Sequence, residues 1–178
     1  MNWRFVLIQL LDLLAWGLLV LSYYRKDTNR ILVFQVFSTI FYCLHYFFLG
    51  AYSGLVICFF EVVRDYLYFR TDKDQYVFWG SVIVFSICTG VTYRSFVDLL
   101  PLVASVVDGY SLTKNKKVVV WGATISYTIW VVYCLLIGSY AGALTDGILV
   151  ISNITILLFQ YDLFRGKDTS RVYMRITK

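Results

Sequence analysis

The chain has 178 residues, of which 60% are hydrophobic, 19% aromatic and 15% charged, with a net charge of +5 and a mean hydropathy of +0.70. This composition lies far outside that of soluble globular domains and leaves no room for a soluble catalytic or nucleic-acid-binding domain. It is typical of a protein that crosses a membrane several times.

Apolar runs long enough to cross about 30 Å of hydrocarbon follow one another along the chain. They predict seven transmembrane helices, at Trp3–Tyr23, Ile31–Leu49, Ala51–Phe69, Tyr76–Thr92, Ser95–Leu112, Val118–Ile137 and Tyr140–Phe164. We expect the first to be retained as a helix rather than removed as a signal peptide, because Arg25 and Lys26 follow it with no small-residue cleavage pattern.

Lysine and arginine are distributed unequally between the two sides of this predicted bundle. One side has Arg4 and Arg94, whereas the other has the basic loops after the first, third and fifth spans and the basic tail 165–178. Because short loops rich in Lys and Arg remain in the cytoplasm, this asymmetry predicts an outside N-terminus and a cytoplasmic C-terminus. The positive charge is therefore interpreted as membrane topology and attraction to an anionic leaflet, with no nucleic-acid partner.

An internal repeat relates the two halves of the chain. Shifting the sequence by 88 positions aligns GAYSG at 50–54 with GSYAG at 138–142, and it superimposes the pairs Gly50 and Gly138, Tyr52 and Tyr140, and Gly54 and Gly142. The glycines are predicted to form tight turns between helices, since glycine tolerates positive φ. The shift spans four helices, so the halves have the same orientation: repeat one at 1–70, a linker helix at 76–92 and repeat two at 95–164. The fold class predicted is thus an all-α membrane protein with two parallel three-helix bundles joined by a linker helix (3+1+3).

The run FQVFSTIFYCLHYFFLGAYSG at 34–54, followed by Arg64, resembles the YgjV-like family of bacterial inner-membrane proteins. The 3+1+3 pattern resembles the wider SWEET and PQ-loop superfamily, which includes sugar transporters, PnuC-type vitamin permeases and KDEL receptors. These resemblances imply a location in the bacterial inner membrane and a cavity between the repeats. The Pro-Gln pair of PQ-loop proteins is missing, and the single proline, Pro101, is either a hinge or a static packing kink.

Ionisable side chains within the spans are candidate functional residues, because burying them in a membrane is costly. Glu61, Arg64 and Asp65 share one helical face of the third span, where either carboxylate can neutralise Arg64. They form either a solute-binding site anchored by Arg64 or an ion pair that only fastens the third helix to its neighbours.

Further polar side chains occur in other spans and, with the third, predict a hydrated cavity between the bundles. The candidate solute-binding residues outside the third span are Asn153, Asp146, Asp12 and His45. Asn153 would supply amide hydrogen bonds, and Asp12, Glu61 or Asp146 would accept protons. For His45 an interhelical hydrogen bond is favoured over a proton relay, and for Asp108 a structural role is favoured over a functional one.

No catalytic motif is present, and the four cysteines lie within spans without a Cys-x-x-Cys pair, so we expect neither enzymatic activity nor a metal or other cofactor. The predicted function is a carrier or facilitator of a small polar solute such as a sugar or vitamin. The alternatives are a receptor or sensor that binds without transporting and a scaffold that acts through the basic tail. The lipid bilayer is the predicted partner, and the sequence leaves open whether the chain is a monomer or a homo-oligomer.

Overall fold

The computed structural model describes residues 3–23 and 28–159, and all secondary structure in these ranges is helical. Seven α-helices follow in order: α1 Trp3–Tyr23, α2 Thr28–Leu49, α3 Tyr52–Arg70, α4 Asp74–Thr92, α5 Leu99–Leu112, α6 Lys116–Ile137 and α7 Tyr140–Phe159. The number of helices agrees with the sequence prediction. The basic loop with Arg25 and Lys26, the end of the predicted last span at 160–164 and the tail lie outside the described residues.

Four of the described helices are long and apolar enough to cross a membrane by length and composition: α1, α4, α6 and α7. In α2 the apolar stretch is the shorter Val33–Leu49. The charged residues of α3 and the short length of α5, which has 14 residues, keep these two helices outside the same criteria. Crossing by all seven helices therefore stays a prediction.

The fifth predicted span differs most from the structure. A short 3-10 helix, Phe96–Asp98, precedes α5, and the Asp98 carboxylate accepts the backbone N–H groups of Arg94 and Ser95, both at 2.9 Å. Pro101 is the third residue of α5 and is buried. In the first turn a proline removes no hydrogen bond within the helix, so its position does not require a kink there.

The helices pack as two consecutive sets with α4 beside them. In one set α1 packs on α2 and α2 on α3, and in the other α5 packs on α6 and α6 on α7. The sets meet where α1 packs on α7 and α3 on α5, while α4 packs on α3 and α5. Large apolar side chains of α4 at four-residue spacing, Trp79, Ile83, Ile87 and Val91, point outward as a surface suited to lipid.

The turns after α2 and α6 have the same backbone structure. Gly50 and Gly138 have φ of 72° and 77°, and each ends its helix. The N–H of Ala51 bonds to the carbonyl of Tyr46 at 3.0 Å, and that of Ser139 bonds to the carbonyl of Cys134 at 2.8 Å. This six-to-one bond after a left-handed glycine is the Schellman motif. The two turns are 88 residues apart, as are the ends of α2 and α6, whereas α5 is shorter than α1.

Gly54 and Gly142 have a different role from the turn glycines, because they lie inside α3 and α7 rather than at positive φ. A Cβ atom at Gly54 would lie 2.7 Å from the Tyr133 hydroxyl, and one at Gly142 would lie 2.6 Å from the Ser139 hydroxyl. These glycines therefore allow close approach of neighbouring side chains, which the sequence analysis did not foresee.

Replacing Gly50 or Gly138 with Ala should destabilise the protein by about 1–2 kcal/mol, because a Cβ atom is strained in the left-handed region. The measurement is the midpoint of thermal unfolding in detergent. Gly147→Ala is the matched control, since this helical glycine has no atom within 4 Å of the added Cβ and should keep or raise the midpoint. Equal midpoints for all three variants would contradict this account of the turns.

Candidate functional site

Arg64 is the centre of a buried charge cluster between α3 and α5. Its side chain is 2% exposed, and its Nη2 lies 2.7 Å from Asp108 Oδ2 and 2.9 Å from Asp65 Oδ1. Its Nε donates to Asp65 Oδ1 at 2.9 Å, and its Nη1 donates to the backbone carbonyl of Ser105 at 2.9 Å. Three of the five N–H donors of the guanidinium thus make hydrogen bonds to protein oxygens.

Glu61 does not form the direct ion pair with Arg64 that the helical spacing allows. Instead, one of its carboxylate oxygens accepts a hydrogen bond of 2.5 Å from the Ser105 hydroxyl on α5. Its charge still acts on Arg64 through space. Asp108, rather than Glu61, is the second partner of Arg64, because α5 packs against the face of α3 that carries the guanidinium.

The Arg64 cluster (Glu61, Arg64, Asp65, Ser105 and Asp108) therefore connects two helices that are distant in sequence. Asp65 is on the outer side, with its side chain 55% exposed, whereas Asp108 is mostly covered. Because protein oxygens already occupy most of the guanidinium donors, this geometry matches the fastening role better than the role of an open anchor for a solute.

A second polar cluster, the Asp12 cluster, lies where α1, α2 and α7 meet. It comprises Asp12, His45, Ser139 and Thr145, whose exposed fractions are between 0% and 2%. The Nδ1 of His45 is 2.7 Å from the carbonyl of Ile8, and its Nε2 is 2.8 Å from the Ser139 hydroxyl. A carbonyl only accepts, so Nδ1 carries the hydrogen and Nε2 accepts from Ser139. His45 thus makes interhelical hydrogen bonds, the role that the sequence analysis favoured.

Asp12 is completely buried, but its carboxylate has few hydrogen-bond partners. The Thr145 hydroxyl is 3.4 Å from Asp12 Oδ2 but only 3.0 Å from the carbonyl of Gly142, so its single hydrogen favours the carbonyl. The other oxygen, Oδ1, has no hydrogen-bond partner and lies 3.8 Å from His45 Nε2. A buried carboxylate in this state has an unmet requirement for a proton or another positive charge.

Asp146 on α7 extends the acidic character of the interior. Its Oδ2 is 3.8 Å from the Cys134 thiol, and its charge interacts through space with those of Asp12 and Glu61. Asp146 is therefore within electrostatic reach of carboxyl groups on α1 and α3.

Asn153 lies on α7, eight residues after Thr145. Its Nδ2 is buried and has no hydrogen-bond partner. The indole Nε1 of Trp16 on α1 is also buried and has no hydrogen-bond partner. Asn153 was predicted as a polar side chain within the seventh span, whereas Trp16 was not predicted, since aromatic side chains are common throughout this chain.

Each helix set also binds the turn of the other. The Tyr133 hydroxyl on α6 is 3.1 Å from both the Ser53 hydroxyl and the N–H of Gly54 at the start of α3. His45 on α2 binds Ser139, the residue before α7. Tyr133 stands 88 residues after His45, and this offset was the only sequence signal for its role.

The first helices reinforce these contacts from the side. Gln9 on α1 donates to the carbonyl of Gly138 at 3.1 Å and accepts the N–H of Ala141 at 2.8 Å. Asp98, just before α5, accepts from the Ser53 hydroxyl at 2.7 Å. Each turn is therefore bound by side chains of the opposite set.

Comparison with known proteins gives a family but no closer relative. The family model Imp-YgjV, described as a bacterial inner membrane protein, matches residues 6–161. No curated protein and no solved structure matched the chain. The matched range extends from the first turn of α1 past the end of α7.

Arg64→Met should lower the free energy of unfolding by about 3–5 kcal/mol, because it leaves the mostly covered carboxylate of Asp108 without its partner. Adding Asp108→Asn should recover part of this loss, since the unpaired charge is then removed. Unfolding in detergent measures both effects.

Arg70→Met is the control on the same helix, because Arg70 is exposed and should change stability by no more than about 0.5 kcal/mol. A loss in Arg64→Met no larger than that in Arg70→Met would contradict the fastening role of Arg64.

Proposed function

We propose that this chain, which belongs to the Imp-YgjV family of bacterial inner membrane proteins, is a transporter or facilitator of a small polar solute. The solute would pass between the set α1–α3 and the set α5–α7, through the interior region faced by Asp12, Asp146 and Asn153. The proposed role is transport rather than catalysis.

The proposed architecture has two parallel three-helix repeats with α4 as the linker, as in the SWEET and PQ-loop superfamily. It is supported by the two Schellman turns, which are separated by the same 88 residues as the sequence repeat. It is also supported by the equal lengths of α2 and α6, which have 22 residues each. In this arrangement all seven helices cross the membrane, and the distribution of Lys and Arg favours an outside N-terminus.

One observation carries the transport proposal: three buried polar atoms without partners lie along α1 and α7. They are Asp12 Oδ1, Trp16 Nε1 and Asn153 Nδ2, and the fourth such atom among the described residues, Thr89 Oγ1, lies in α4. Buried polar groups in a membrane protein normally have partners, because no water is present in the hydrocarbon region to replace them. Unpaired groups on two packed helices favour a site at which a ligand or water provides the missing bonds.

The register of the two helices places these groups in sequence along a path. Gln9 contacts Ala141 and Asp12 contacts Thr145, so α1 and α7 run in the same direction. At 1.5 Å per residue, Trp16 is about 6 Å beyond Asp12, and Asn153 is about 12 Å beyond Thr145. Polar groups at successive depths are what a solute needs to cross an apolar layer.

The chemistry of these groups indicates the class of solute. Asp12 and Asp146 accept hydrogen bonds, whereas Trp16 and Asn153 offer N–H donors. A solute with hydroxyl or amine groups and at least one acceptor, such as a polyol, a nucleoside or an amino compound, satisfies both kinds of group. An organic anion is disfavoured, because carboxylates face the interior and Arg64 is already paired.

A receptor or accessory subunit of the same fold is the second candidate. It is favoured by the difference between the first helices of the two sets, since α1 has 21 residues and α5 has 14. Two equivalent gates need matched helices, whereas a binding site that does not transport has no such requirement.

The proposal predicts that a solute of the stated class stabilises the purified protein in a thermal-unfolding screen of sugars, nucleosides, vitamins, amino acids and organic anions. At 100 times its dissociation constant it should add about 2.7 kcal/mol of stability. Asn153→Ala should reduce this gain, and a flux assay in liposomes with the same solute then separates transport from binding alone.

Ser152→Ala is the matched control, because Ser152 is the exposed neighbour of Asn153. The proposal fails if no solute stabilises the parent and if Asn153→Leu, which replaces the unpaired amide with an apolar side chain, raises the unfolding midpoint. That result would mean that the unpaired amide is a packing defect and does not bind a solute.

A further inference from the structure

We infer that Asp12 and His45 together form a proton-binding site, and that its occupancy controls the contact between α2 and the turn before α7. The inference deepens the transport function proposed above, because it identifies the proton as the coupling ion. The proton-binding property itself does not depend on which solute is moved.

The hydrogen bonds of His45 determine which ring nitrogen can bind an additional proton. Nδ1 is held by the carbonyl of Ile8 at 2.7 Å, so its hydrogen stays in place. Nε2 has the free electron pair, and it accepts the Ser139 hydroxyl at 2.8 Å. An additional proton on this ring therefore binds to Nε2, which then donates a hydrogen bond and no longer accepts one from Ser139.

Asp12 is positioned to balance the added charge. Its Oδ1 lies 3.8 Å from His45 Nε2 and has no hydrogen-bond partner. A movement of about 1 Å brings the two atoms to the distance of a charge-assisted hydrogen bond. With one proton on either atom, the pair has no net charge, whereas without it the membrane interior contains an unpaired carboxylate, which is costly.

The other titratable groups that face the pair come from three helices. They are Tyr42 and Tyr46 on α2, Cys134 on α6 and Asp146 on α7. Asp146 is the only carboxyl group of these four. The proton is assigned to the Asp12–His45 pair because this pair joins a fully buried, unpartnered carboxylate oxygen to a ring nitrogen that has a free electron pair.

Proton uptake has a structural consequence at the turn. When Nε2 carries a hydrogen, it no longer accepts from Ser139. If that hydrogen is donated to Asp12 Oδ1, the bond to the Ser139 hydroxyl is broken, and the α6–α7 turn loses one of the bonds that hold it against α2. Tyr133 at the corresponding position of α6 has a phenol that does not titrate near neutral pH. The contact at Ser139 is therefore sensitive to protons, whereas the contact at Ser53 is constant.

His45 is the single histidine of the chain, which makes the test direct. The full-length protein, labelled with ¹⁵N in the histidine ring and placed in lipid nanodiscs, is titrated between pH 5 and pH 9 by NMR. The expected result is one proton step in the ring signals, together with an Nδ1–H tautomer at high pH. Asp12→Asn should abolish this step or move its midpoint by at least one pH unit, a tenfold change in proton affinity.

Asp98→Asn is the control, because Asp98 binds Ser53 at the other turn and should leave the step unchanged. If Asp12→Asn does not fold, Ser139→Ala provides the second test, since loss of its hydroxyl should shift the Nε2 signal at high pH. The inference is overturned by a ring that does not titrate in the parent, by an identical step in Asp12→Asn, or by an unchanged Nε2 signal in Ser139→Ala.

Repeating the titration in sodium and in choline buffers distinguishes the proton from a metal cation. Equal midpoints support a proton site, and a midpoint that depends on sodium overturns it. No solute is present in these titrations, so a negative solute screen leaves their result intact. Conversely, a ring that does not titrate removes proton coupling but not the proposed solute site.

Discussion

The two helix sets of this bundle are joined by hydrogen bonds at their turns, where side chains of each set bind the turn of the other. His45 of the first set binds Ser139, and Tyr133 of the second set binds Ser53 and the N–H of Gly54. A helix that begins at a tight turn has N–H groups without partners inside the helix, and in a membrane those groups must be satisfied by protein. Tyr133 of the second set accepts the N–H of Gly54, and Gln9 of the first set accepts the N–H of Ala141. Each set therefore supplies an acceptor to a helix start of the other, which fixes their relative position at this end.

A different interaction joins the sets farther along α3, where Arg64 contacts Asp108 on α5. A buried ion pair is costly to separate, because each partner alone leaves an uncompensated charge. The turn contacts are hydrogen bonds of smaller individual energy, and one of them includes a histidine. Separating the two sets therefore costs less free energy at the turns than at the Arg64 cluster. At the turn before α7, the proposed proton on the Asp12–His45 pair weakens the contact between His45 and Ser139.

Much of the fold could be predicted from the sequence, because hydrophobic runs and turn glycines are local signals. The positions of Gly50 and Gly138 followed from a repeated five-residue pattern, and the helices on either side followed from the apolar runs. The partners of the polar residues could not be predicted in the same way. Helical spacing placed Glu61 beside Arg64, but which carboxylate binds the guanidinium depends on how α5 packs against α3. Tyr133 was missed because a tyrosine and a histidine at equivalent repeat positions form no recognisable motif.

If the region between α1 and α7 is a hydrated path, a side chain that lines it can be reached by a reagent dissolved in water. In a chain whose four cysteines are replaced, Asn153→Cys is treated in intact vesicles with a charged, membrane-impermeant thiol reagent. Its neighbour Ile154 is exposed on the outer surface of the bundle and serves, as Ile154→Cys, for comparison. With a hydrated path, the reagent is expected to modify position 153 and not position 154. Modification of neither position, or of both at the same rate, would contradict it.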